Sequence, residues 1–109
     1  MNFYDFVQLD AELFNHRKIK QLRNLPEGDA LVLFWIQLLC IAEKTQDDGK
    51  IYVTLNHPYS IHELAVEVGR SDEFIEKALR LFEEFQMILV EEELSIKNWE
   101  FYQNISKMD

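Results

Sequence analysis

The chain has 109 residues, 48% of them hydrophobic and 13% aromatic, which is one domain's worth of core-forming sequence and excludes an intrinsically disordered segment. Eleven Lys and Arg against twenty Asp and Glu leave a formal charge of -9, which repels a polyanion, so any nucleic-acid contact requires a local basic patch. The single cysteine, Cys40, excludes an internal disulfide and leaves a reducing, cytoplasmic setting as the expectation.

From the N-terminus, Phe3 to Leu9 mixes aromatics with Asp5 and Gln8 in a loose alternation that predicts a short strand. Asp10 caps a turn running through Phe14. His16 to Leu25 then places Ile19, Leu22 and Leu25 at helical spacing, surrounded by Arg17, Lys18, Lys20 and Arg23, in the only basic segment of the chain. These four cations are candidate contacts for DNA or a protein partner. The competing reading is a solvated helix face that balances an acidic neighbour. Residues 1–25 are thus expected to form an N-terminal extension, a strand plus a short basic helix.

Pro26 to Lys44 is the stretch around which the chain is organised. Its middle, Ala30 to Ala42, is apolar at every position except Gln37, so it predicts a helix that is covered on all sides. Pro26 suits a first turn, Glu27 and Asp29 suit the positive end of the helix dipole, and Lys44 suits the other end. Thirteen residues reach only about 20 Å, against the roughly 30 Å of a hydrocarbon layer, so a membrane anchor is not expected. Cys40 and Trp35, inside this run, are expected to be buried core residues.

Gln46-Asp47-Asp48-Gly49 is turn chemistry, and Ile51 to Thr54 predicts a strand that ends at Asn56-His57-Pro58. Ser60-Ile61-His62-Glu63 has the capping-box form and opens a short helix with Ile61, Leu64, Ala65 and Val68 on one face. Gly69 ends that helix, Arg70 turns the chain, and Ser71 caps the next one, whose apolar side is Phe74, Ile75, Ala78, Leu79, Phe82 and Phe85. Two amphipathic helices joined by a short glycine-containing turn make a helix-turn-helix. Met87 to Val90 and Leu94 to Ile96, with glutamates between them, predict a hairpin. With the strand at Ile51 pairing onto that hairpin, the order is that of a winged helix. The expected fold class is therefore α+β, mainly α: a winged helix-turn-helix over residues 26–100 behind the N-terminal extension. Trp99, just past the hairpin, is expected to pack over the sheet.

The remaining chemistry-bearing residues point away from catalysis. His16, His57 and His62 are scattered without carboxylate or cysteine ligands at metal spacing. The three glycines all lie at element boundaries, leaving no phosphate loop and no nucleophile elbow. No enzyme, metal or cofactor is expected.

Lys18-Ile19-Lys20, Leu25-Pro26, Gly28-Asp29, Val32-Leu33-Phe34-Trp35-Ile36, Gly49, Pro58-Tyr59-Ser60, Met87-Ile88, Asn98-Trp99-Glu100 and Tyr102-Gln103-Asn104 together resemble the N-terminal domain of phage replisome organizers, over nearly the whole chain. The resemblance implies a winged helix related to the N-terminal domain of DnaD-type primosome proteins, from a phage or prophage of Gram-positive bacteria. It further implies a role in phage DNA-replication initiation, with binding of the phage origin and recruitment of the host helicase loader. Full-length members continue beyond Asn-Trp-Glu, so residues 101–109 are expected to begin a C-terminal tail or linker.

Charge orders these roles. In a DNA-bound helix-turn-helix the second helix lies in the major groove, yet here it carries Asp72, Glu73, Glu76, Glu83 and Glu84 against Lys77 and Arg80. Self-assembly and partner recruitment are therefore expected to lead, with origin contact secondary. Phe3, Tyr4, Phe6 and Phe14 are the candidate anchors of a homo-oligomer. One alternative is a winged-helix transcriptional regulator, which requires a basic surface built from Arg17, Lys18, Lys20, Arg23, Arg70, Lys77, Arg80 and Lys97. A second is a non-enzymatic adaptor that captures the host helicase loader through its acidic face.

Overall fold

A computed structural model of the chain describes residues 6–45, 52–54, 57–90 and 94–97. In order, a 3-10 turn at Leu13–Asn15 leads into α1 (Arg17–Arg23), α2 (Gly28–Thr45), β1 (Tyr52–Thr54), β2 (His57–Pro58), α3 (Ile61–Val68), α4 (Asp72–Glu84), β3 (Ile88–Val90) and β4 (Leu94–Ile96). The class is α+β and mainly α, as expected.

The central helix forms where the apolar run predicts it, with its start shifted. Pro26 lies in the connection rather than in the first turn, because Glu27 adopts a left-handed φ of 59° and its carbonyl accepts the Leu31 amide at 3.0 Å. Around α2 the core assembles from Ile19 and Leu22 of α1, Leu64 and Ala65 of α3, Phe74, Ile75, Ala78 and Phe82 of α4, and Ile88 and Ile96 of the hairpin. Aromatic contacts join α2 to α4. Phe34 meets Phe74 edge-on at 6.0 Å and Phe82 stacked at 5.8 Å, while half-buried Trp35 meets Phe82 edge-on at 5.4 Å. Such pairs add a stabilisation of about 0.5–1.5 kcal/mol each beyond the area they bury.

Local chemistry sets the ends of α3 and α4. The Ser60 hydroxyl accepts from the Glu63 amide at 3.1 Å and the Glu63 carboxylate accepts from the Ser60 amide at 3.0 Å, completing the capping box. Gly69 takes a φ of 76°, and the Arg70 amide returns to the Ala65 carbonyl at 3.0 Å. The Ser71 hydroxyl then accepts from the Phe74 amide at 3.1 Å and opens α4. At the other end of α4, the amides of Gln86 and Met87 bond the carbonyls of Glu83 and Phe82, a Schellman closure with Gln86 at a φ of 58°.

Further expectations fail, among them that α2 is covered on all sides, since Leu33 is 53% exposed. First, Phe6 to Leu9 have no regular secondary structure, so the Phe3-to-Leu9 strand is not made there; Phe3, Tyr4 and Asp5 lie outside the described residues. Second, among the described residues β1 does not join the hairpin. It pairs antiparallel with β2, Tyr52 opposite Pro58 and Thr54 opposite His57 with an irregularity between, while β3 pairs with β4. The segment expected to break the strand becomes its partner, because the proline restriction that forbids helix favours extended backbone and an edge position. Closing a loop of a few residues also costs less chain entropy than reaching the distant hairpin. Third, Cys40 is exposed rather than core. The Gln46-to-Gly49 turn, the glutamate tip of the hairpin and Trp99 lie outside the described residues.

Candidate functional site

The helix-turn-helix offers the first surface. Across the turn, His62 Nδ1 lies 3.1 Å from Asp72 Oδ1, and the Arg70 guanidinium sits 5.0 Å from the Phe74 ring centroid. Arg70 and Lys77 line one groove, together with Glu27, His62, Asp72 and Glu73. Arg80 lines another with Tyr59, Leu79, Glu76 and Glu83, and its Nε donates to the Glu76 carbonyl at 3.4 Å. Each cation of α4 thus has acids beside it, and Glu73, Glu76, Glu83 and Glu84 are all exposed. The Tyr59 phenol is pushed above its ordinary pKa, first by burial and then by the carboxylates of Glu67 and Glu63. Lys97, at the end of β4, is half-buried and donates its backbone amide to the Met87 carbonyl at 3.0 Å.

The second surface is α1 with the segment before it. Its sequence, RKIKQLR, carries four cations and no acid. His16 caps it, accepting the Lys18 amide on Nδ1 at 3.2 Å. Arg17 and Lys20 are exposed and Lys18 is half-buried. Arg23 is engaged within the chain: its Nε donates to Asp29 Oδ1 at 3.0 Å, and its guanidinium lies 5.7 Å from the Phe14 ring. Phe6 and Phe14 are 55% and 54% exposed, with Leu9 at 44%, leaving apolar area uncovered beside the basic helix. Phe3 and Tyr4 lie outside the described residues.

The third surface lies on the central helix, whose apolar run calls for extra cover, from the Phe3-to-Leu25 extension or from a second copy, without saying on which arc. At about 100° per residue, α2 has one arc of about 120° that none of the described elements covers fully. Leu33, 53% exposed, and exposed Cys40 run down its centre, flanked by half-buried Ala30, Ile36 and Gln37, with exposed Asp29 and Lys44 at the ends. The opposite arcs hold Leu31, Phe34, Leu38 and Ala42, and then Val32, Leu39 and Glu43, all buried. The signal for Glu43 was its helical phase: it lies four residues from Leu39 and eleven from Val32, on one line of the helix.

Among the described residues, no cluster of His, Cys, Asp and Glu is placed to hold a metal ion, and no helix is long and apolar enough to cross a membrane. Against known families, the model described as N-terminal phage replisome organiser matches residues 6–109. The chain belongs to this family. Neither a curated protein nor a solved structure matches it. The match takes in all three surfaces, and membership of the replisome-organiser family gives the chain a role in phage DNA replication.

Proposed function

We propose that this organiser domain works at replication initiation by binding protein: it self-assembles and recruits another replication protein, with the host helicase loader as the partner implied by the family, and touches origin DNA only secondarily. The observation that carries this reading is the charge of α4. In the usual helix-turn-helix docking this helix enters the major groove, with the β3–β4 hairpin beside it as a wing. Here that docking sets five carboxylates and two cations of α4 against phosphates. The cost of approach rises as salt is lowered, the reverse of what a phosphate-binding domain needs. The exposed Phe6, Leu9 and Phe14 offer apolar contact instead.

A second reading, origin contact through Arg17, Lys18 and Lys20, is favoured by the absence of any acid in α1. The two readings separate in fluorescence anisotropy of a labelled duplex at roughly 50 mM and roughly 200 mM salt. Assembly and recruitment predict no saturable binding at either salt. Tight binding at low salt that collapses at high salt overturns that ordering and makes α1 a DNA surface.

A further inference from the structure

We infer that the open arc of α2 is a homodimer seam, on which a second copy of this chain packs its own α2 antiparallel about a two-fold axis between Ile36 and Gln37. The inference rests on the self-assembly reading and names the surface for it.

The register follows from charge. Asp29 and Lys44 stand at opposite ends of the arc, both exposed, with Leu33 and Cys40 between them. An antiparallel partner centred between Ile36 and Gln37 sets Asp29 opposite Lys44, Leu33 opposite Cys40, and Ile36 opposite Gln37, each pair occurring twice. Asp29 already accepts Arg23 Nε on Oδ1, and with its side chain 84% exposed it has room for a second cation. The seam is isologous, as a closed two-fold dimer requires, and it also sets the two helix dipoles head to tail. The apolar centre supplies the attraction. Exposed ion pairs are worth little in affinity, but they select register and orientation. A register centred on Cys40 would lose the Asp29–Lys44 match at both ends.

This register sets the cross-linking pattern. Apposed positions on packed helices bring Cα atoms within disulfide range, whereas the two Cys40 residues, offset by seven residues along the seam, stand roughly 11 Å apart, beyond the roughly 7 Å limit for a bridge. Leu33 and Cys40 of one copy are separated by a similar distance along their own helix and cannot bridge within a chain.

The test is oxidation of Leu33→Cys, followed on non-reducing gels, beside sedimentation of the unmodified chain. Leu33 is 53% exposed, so the substitution leaves the core intact. The seam predicts conversion of most Leu33→Cys protein to covalent dimer, and loss of that dimer both in the unsubstituted chain and in Leu33→Cys/Cys40→Ser. It also predicts that Lys44→Glu, which sets like charges opposite each other, slows cross-linking several-fold. A chain that sediments as an oligomer while Leu33→Cys stays uncross-linked overturns the seam and leaves self-assembly to the N-terminal extension. Equal cross-linking of the unsubstituted chain overturns the register. A monomer at high concentration, with no cross-linking, overturns the seam and self-assembly together.

Discussion

Gly28 stands against the end of α1: a β-carbon placed on it would lie 2.4 Å from the carbonyl oxygen of Arg23 and 2.6 Å from the Arg23 carbonyl carbon and Cα. Glycine is thus what allows α1 to close onto the start of α2, with the Gly28 amide donating to the Leu25 carbonyl at 2.9 Å. This packing sets α1 directly against the start of α2. Because the obstruction is backbone rather than a movable side chain, Gly28→Ala is expected to destabilise the domain by about 2–3 kcal/mol. Urea unfolding followed by circular dichroism measures the shift.

Gly69 needs glycine for a different reason. No atom stands within 4 Å of the position its β-carbon would take, but its φ is 76°. Gly69→Ala meets only the left-handed backbone cost, about 1 kcal/mol. The same unfolding experiment is expected to rank Gly28→Ala as the more damaging change, and the reverse order would contradict the close approach at Arg23.

Gln86 occupies the left-handed position that closes α4, with a φ of 58°, where glycine is the usual residue. Gln86→Gly relieves the backbone cost and partly offsets that gain by loosening the unfolded chain. A net stabilisation of about 0.5 kcal/mol is expected, read as a raised unfolding midpoint.

The boundaries of α3 and α4 were legible in the sequence because each is decided by groups within a few residues: Ser60 with Glu63, Gly69 with Ala65, Ser71 with Phe74. The partner of β1 was not legible, since strand pairing is a choice among distant segments and His57-Pro58 carries a breaking signal and an extended-backbone signal at once. Nor was the exposure of Cys40. An all-apolar helix says that it needs cover without saying which arc the neighbouring elements fail to reach; that depends on how α1, α4 and the sheets divide its circumference. The opposed charges of α4 were legible residue by residue, whereas the pairing of Arg23 with Asp29 required the turn at Glu27 to fold.

Tyr59 makes stability fall at alkaline pH. Its phenol is held above its ordinary pKa of 10.0 by burial, then by Glu67 and Glu63. The native state therefore keeps its proton at a pH where the unfolded chain has lost it. The contribution is fully present below pH 10 and is lost as pH rises from there through the raised native value. Tyr59→Phe is expected to flatten the alkaline limb of the stability profile relative to the unsubstituted chain while leaving the neutral region nearly unchanged. Identical limbs in paired thermal melts across that range would contradict the shift.

Sedimentation velocity of the unsubstituted chain over a concentration series, at low salt and at about 1 M salt, tests most directly whether this domain works through protein contact. Apolar contact survives where the Debye length shrinks to about 3 Å. Assembly through Leu33, Phe6 and Phe14 predicts a homo-oligomer that persists at high salt, whereas a monomer at every concentration and at both salts would contradict it.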